Sequence, residues 1–255
     1  MLYAETHGKL GRDGSRAHDR AEDLLTSTAF QLLRYLSFET GVGAVLRRVR
    51  AVRADGSVSN ELPAWLHLEG ATRADVKFWQ SFGKHGQPDV LTELFEGDES
   101  RGQFVIEVKL DSPKSGEATD EDEVTEKPDA DQLYKYLQGL RERAGGAARG
   151  VVYLTSHAIP PTEQLAASLS REGGDWLAWL SWRDVWAALK PCQEEPAVDL
   201  VAILAAKGLK TFDGFAVEPW RATCEPHFWA QPRPANWFDL PPWRATCAPD
   251  FWNTT

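Results

Sequence analysis

Residues 88–110 read Pro-Asp-Val-Leu-Thr-Glu-Leu-Phe-Glu-Gly-Asp-Glu-Ser-Arg-Gly-Gln-Phe-Val-Ile-Glu-Val-Lys-Leu. Two runs suited to strands, 90–95 and 103–110, flank a polar segment, 96–102, that carries Gly97 and Gly102. The pattern predicts a β-hairpin. Successive side chains of a strand point to opposite faces, so Phe104, Ile106, Val108 and Leu110 make one apolar face while Val105, Glu107 and Lys109 share the other. Asp89 opens the first strand and is expected near the far end of the second. Two carboxylates and a lysine would then gather at one end of the hairpin.

A lysine on a strand next to the core needs a partner, because a buried unpaired charge is costly. Here the partner would be its own Glu107, together with a bound ion. Mg²⁺ is held by one or two carboxylates together with waters and substrate phosphates, so Asp89 and Glu107 suffice in number. Lys109 would orient a water or stabilise charge growing on a phosphate. Read alone, Glu107-Val108-Lys109 is most simply an ion pair on a half-exposed strand.

Around the hairpin, Glu22 lies in the upstream run 22–33, and Gln132 in the downstream run Asp-Gln-Leu-Tyr-Lys-Tyr-Leu at 131–137. In this order the chain resembles the PD-(D/E)xK nuclease superfamily, with Pro88-Asp89 and Glu107-Val108-Lys109 as the central motif. The segment Lys-Gly-Leu-Lys-Thr-Phe-Asp-Gly-Phe at 207–215 is similar to one seen in some stand-alone prokaryotic members. The resemblance spans roughly residues 5 to 215. It implies an α/β, restriction-endonuclease-like core: a mixed sheet of about four to five strands flanked by helices, with extra C-terminal helices. It also implies metal-dependent hydrolysis of phosphodiester bonds with Mg²⁺ or Mn²⁺, of DNA in preference to RNA, in a context of bacterial restriction or phage defence. Carried onto this sequence, Asp89 and Glu107 are metal ligands, Glu22 assists as a direct or indirect ligand, Lys109 is a water-orienting and charge-stabilising base, and Gln132 completes the pocket. The alternative is a non-catalytic module that keeps the fold for binding or assembly.

With 255 residues and 42% hydrophobic content, the chain can bury a substantial core. The start is polar, which argues against a signal peptide or membrane span. Cys192, Cys224 and Cys247 are widely spaced, so neither a disulfide framework nor a zinc ribbon is indicated, and a reduced, cytoplasmic setting fits. The net charge of −10 works against nucleic-acid binding, yet six acids fall within 117–126, leaving −4 for the rest of the chain. That run reads as a solvated loop or as a cover over the site. Arginines 12, 16 and 20, and 47, 48, 50 and 53, are candidate phosphate contacts or plain solubilising charge.

The organisation expected from pattern is as follows. A helix spans 19–38, with Asp19 and Glu22 placed as a capping box. Strands follow at 45–53 and 74–82, then the hairpin, a helix at 128–143 with Asp129 near its start, and a buried strand at 151–155 parallel to its neighbour. Further helices are expected at 161–171, 181–189 and 197–207. Trp176, Trp179, Trp182 and Trp186 recur at three- and four-residue steps, as on one helical face packed into the core. Gln132 and Tyr136 lie one helical turn apart, with Tyr136 expected in the core. A nuclease-like domain at 1–215 gives way to a Trp/Pro-rich tail at 216–255. There Pro-Trp-Arg-Ala-Thr-Cys-Glu-Pro-His-Phe-Trp at 219–229 recurs as Pro-Trp-Arg-Ala-Thr-Cys-Ala-Pro-Asp-Phe-Trp at 242–252. The tail is read as extended, docking on the domain or serving a homodimer or defence-complex partner.

Overall fold

The computed structural model describes residues 17–110, 131–143 and 149–211. The acidic run, Asp129, the tail with its duplicated motif, Arg12 and Arg16 lie outside the described residues, so the expectations attached to them are left there. The described elements run α1 (Ala17–Leu33), α2 (Val42–Leu46), β1 (Arg50–Ala51), β2 (Arg73–Phe78), β3 (Val90–Glu96), β4 (Glu99–Lys109), α3 (Gln132–Arg143), β5 (Arg149–Thr155), α4 (Thr162–Leu169), β6 (Leu177–Ser181), α5 (Trp182–Leu189) and α6 (Glu195–Ala206).

The strands form one mixed sheet of six in the order β1-β6-β5-β4-β3-β2. The hairpin β3–β4 is antiparallel, closed by a two-residue turn in which Gly97 takes φ 57°, the positive value that glycine reaches without strain. The turn is tighter than the seven-residue loop expected, because strand pairing continues to Glu96 and Glu99 and a bulge between Leu94 and Phe95 absorbs the extra residue. On its other side β4 pairs with β5 in parallel, and β5 with β6 in parallel. These are the arrangements that α3 and α4 permit as crossovers.

Alternation along the central strands sends apolar side chains to two cores. Phe104, Ile106 and Val108 of β4, Val152 and Leu154 of β5, and Ala178 and Leu180 of β6 pack with Leu25, Ala29, Phe30 and Leu33 of α1 and with residues of α2, α5 and α6. Leu91, Val105, Val151, Tyr153, Leu177 and Trp179 face α3 and α4 through Leu133, Tyr136, Leu137, Leu140, Leu165 and Leu169. The sheet is therefore covered by helices on both faces.

Four expectations change. The sheet has six strands rather than four to five, because β6 is buried throughout and shows no polar alternation. The tryptophan run is not one helical face. Trp176 precedes β6 and Trp179 lies within it, whereas Trp182 and Trp186 belong to α5, and the two pairs enter opposite cores. The predicted strand at 45–53 begins as the end of α2, where Val42, Val45 and Leu46, with Val49 beyond it, bury at helical spacing; of its residues Arg50 and Ala51 pair with β6, and Val52 bridges to Val58. The helix that carries Glu22 already includes Ala17 and His18, so Asp19 lies inside it and no capping box forms there. A capping box does occur at Ser181 and Asp184 of α5, where Asp184 also pairs with Arg50 at 2.6 Å.

Gly150 of β5 lies under the Trp65 indole, and a Cβ there would come within 2.0 Å of the ring. Gly150→Ala is expected to lower stability by ~1–3 kcal/mol through overpacking, measured as a shift in the urea midpoint. Gly173→Ala, where a Cβ meets nothing within 4 Å, should change it by no more than about 0.5 kcal/mol.

Candidate functional site

The hairpin register brings the motif residues together. Val90 of β3 is opposite Ile106 of β4, so Asp89, one residue before, reaches the end of β4 and accepts a hydrogen bond from the Val108 backbone N–H at 2.9 Å. Glu107 and Lys109 emerge on the opposite side of β4 from Val108, on the face that α3 covers. The Glu107 side chain is 2% exposed and the Lys109 side chain 13%, so the pair is not the half-exposed surface pair that the tripeptide alone allowed.

Glu22 arrives from α1 and joins this corner across 87 residues of chain. Its Oε1 accepts from Lys109 Nζ at 3.1 Å, and its Oε2 accepts from the Leu110 backbone N–H at 2.7 Å. Lys109 Nζ also lies 3.1 Å from Glu107 Oε1. The ammonium is thus held between two carboxylates, with Asp89 close behind. Burial alone would lower its pKa, but the fields of Glu107, Asp89 and Glu22 overcome that and raise it, so Lys109 stays protonated. Burial pushes the Glu107 carboxyl well up, and the neighbouring Asp89 adds to the rise. Asp89 is raised mainly by desolvation, with Lys109 and the Val108 N–H opposing.

Gln132 stands at the first turn of α3. The turn is capped by Asp131, its Oδ1 accepting from the backbone N–H groups of Leu133 at 2.9 Å and Tyr134 at 3.3 Å. The Gln132 side-chain amide donates to the Tyr136 hydroxyl at 2.8 Å, and that hydroxyl donates to the Gln87 carbonyl at 3.2 Å. Tyr136 is buried, as expected of a core residue, yet its hydroxyl feels both burial and the Glu107 charge, which raise its pKa. It therefore borders the carboxylate corner as well as the core. Two acceptor atoms in this region, Glu107 Oε2 and Gln132 Oε1, are buried without a hydrogen-bond partner.

Pattern reading had no means of finding Trp79. It follows β2 with φ 46°, a left-handed conformation that costs a bulky residue about 1–2 kcal/mol. Its N–H donates to the Asp89 carbonyl at 3.0 Å, and its carbonyl accepts from the Gln87 side chain at 2.7 Å. The strained residue ties both strands that flank the loop 79–89 and so fixes where Asp89 begins. Periodicity carries no signal for such a conformation.

No protein-family model, curated protein or solved structure matches this chain.

The donor set suits a hard divalent cation in chemistry. Three acids around one ammonium carry formal charge −2 when ionised, and buried charge of that kind takes up either protons or a cation. Glu107 Oε2 is an oxygen with no donor to satisfy it. Among the described residues, however, no three Asp, Glu, His or Cys side chains gather closely enough to hold a metal ion unaided. Asp89 and Glu107 are the acids suited to act as ligands, while Glu22 is engaged with Lys109 and the Leu110 N–H.

The raised Glu107 has a consequence for stability with EDTA present. The folded chain keeps this proton above 4.5, the ordinary value, where the unfolded chain has released it. The folded state then binds more protons, so this group's contribution to stability falls as pH rises through that window. Glu107→Gln removes the penalty. The variant is expected to unfold at higher urea than the parent at about pH 8, with the advantage shrinking toward about pH 4; an advantage equal at both pH values would count against a buried, proton-binding Glu107.

Proposed function

We propose that the protein is a metal-dependent nuclease that hydrolyses phosphodiester bonds, of DNA in preference to RNA, and that it works in bacterial restriction or phage defence. The observation that carries the reading is the convergence of Asp89, Glu107 and Lys109 at one end of the β3–β4 hairpin, with Glu22 from α1 bonded to the lysine. The order of these residues along the chain is that of the PD-(D/E)xK superfamily.

A bound Mg²⁺ or Mn²⁺ ion supplies neutralisation of the phosphate and a water of lowered pKa. Asp89 and Glu107 are the residues that would hold it, which would account for acids kept in a buried place where neither ionises readily. Lys109 retains its proton among three carboxylates, so its part is to donate a hydrogen bond and positive charge to a phosphate oxygen or to the attacking water, rather than to act as a base. Glu22 positions that ammonium. Gln132, bonded through its amide to Tyr136, keeps a buried carbonyl without a hydrogen-bond partner. No described helix is long and apolar enough to cross a membrane.

Cleavage of plasmid, linear DNA and RNA, followed with Mg²⁺, Mn²⁺ or EDTA, tests the reading. The parent is expected to cut only with metal, and Lys109→Ala and Asp89→Ala to lose on the order of 100-fold or more in rate. Metal-dependent cleavage that survives both substitutions would falsify the site assignment. A parent inert on every substrate with either metal would favour a binding or assembly module.

A further inference from the structure

Beyond the carboxylate corner, an open groove of about 390 Å³ runs along β2, the edge strand of the sheet. Arg34, just past the end of α1, lines it together with Asp75, Lys77 and Gln80. We infer that this groove is the track of the substrate strand, with Arg34 and Lys77 taking backbone phosphates on the approach to Asp89. The inference rests on the nuclease reading and extends it to the substrate-binding surface.

Location is the first support. Phe78, next to Lys77, pairs with Val90, and the following residue, Trp79, bonds through its N–H to the Asp89 carbonyl. Lys77 is thus two residues, about 7 Å of strand rise, from the residue tied to the site. Phe78 and Gln80, which line the groove, flank the residue bonded to Asp89.

Charge is the second. Arg34 and Lys77 are exposed, and neither forms an ion pair with any described residue. The acid of the groove, Asp75, is tied to Arg73 at 3.0 Å. Two cations without a carboxylate partner among the described residues share one groove on a chain of net charge −10, and phosphate contacts are what such groups provide. As an edge strand, β2 also turns unpaired backbone N–H groups outward, a second kind of phosphate donor.

The third support concerns the class of partner. Tyr35, the residue after Arg34, is 78% exposed. An exposed aromatic ring one residue along the chain from a groove-lining arginine suits a ligand with flat faces to stack, as nucleic-acid bases have. An acidic peptide or a β-strand from a second copy would use the charge or the strand edge but has no need of the ring.

The test is binding of fluorescent single-stranded and duplex DNA to the full-length chain with EDTA present, followed by anisotropy across a salt series. For Arg34→Ala/Lys77→Ala, affinity is expected to fall at least about fivefold at low salt, and the slope of log K against log salt to flatten by roughly 1.4 to 1.8. Tyr35→Ala should weaken binding with the slope unchanged, since no charge is removed. Exposed bases elsewhere serve as the control: Arg171→Ala/Lys207→Ala should leave the slope as it was.

A parental slope in the Arg34/Lys77 variant overturns the groove, and so does an equal flattening in the control pair. Loss of a dimer in sedimentation with DNA binding intact overturns it in favour of an interface between copies. Metal-dependent cleavage by the parent, scored separately, keeps the two readings apart. Cleavage with a parental slope leaves the nuclease and removes the track, whereas a flattened slope with no cleavage leaves the track and removes the nuclease.

Discussion

The Lys109 ammonium, held at 3.1 Å from both Glu22 and Glu107, is the contact on which the described architecture converges. It joins α1, the first described element, to β4 in the middle of the sheet. It does so where all the partners are largely withdrawn from water, so each charge depends on the others. Remove the ammonium and three acids crowd together with nothing of opposite sign among them. The strand pairing that sets β4 against β3 also delivers Asp89, which makes the corner a product of the sheet rather than of a loop.

Such a corner carries a cost in stability. Glu107 is buried where its ionised form is disfavoured, and Trp79 holds an unfavourable backbone conformation to anchor Asp89. Both costs fall on residues that adjoin Asp89. The rest of the sheet is conventional. Strands β4, β5 and β6 bury both faces under helices, and that rigid frame supplies the support that the strained end requires.

Legibility in the sequence followed the range of the interaction. The hairpin, its two faces and the neighbouring pair Glu107 and Lys109 could be read because a period of two is a local property. The helical turn that joins Gln132 to Tyr136 could be read for the same reason. Strand β6 escaped because a strand buried on both faces has no alternation, and its tryptophans happen to repeat at a helix-like interval. Residues 45–53 misled in the opposite direction, since Val42, Val45, Leu46 and Val49 are spaced for a helix while the arginines between them imitate a strand. The capping box expected at Asp19 and Glu22 lay inside a helix, and the one that exists begins at Ser181.

By itself, then, the chain determined which residue types stand on each side of the hairpin, and in what order Glu22, Asp89, Glu107, Lys109 and Gln132 occur. Tertiary structure decided that Glu22 serves Lys109 and the Leu110 N–H rather than its own helix terminus. It decided as well that a two-residue strand and β6 complete a sheet of six, and that Trp79 leaves the ordinary backbone region to position Asp89. Dihedral preference and side-chain alternation act over a few residues and are written locally. Contacts across 87 residues of chain, and strain that only the surrounding packing can sustain, come into being when the sheet assembles.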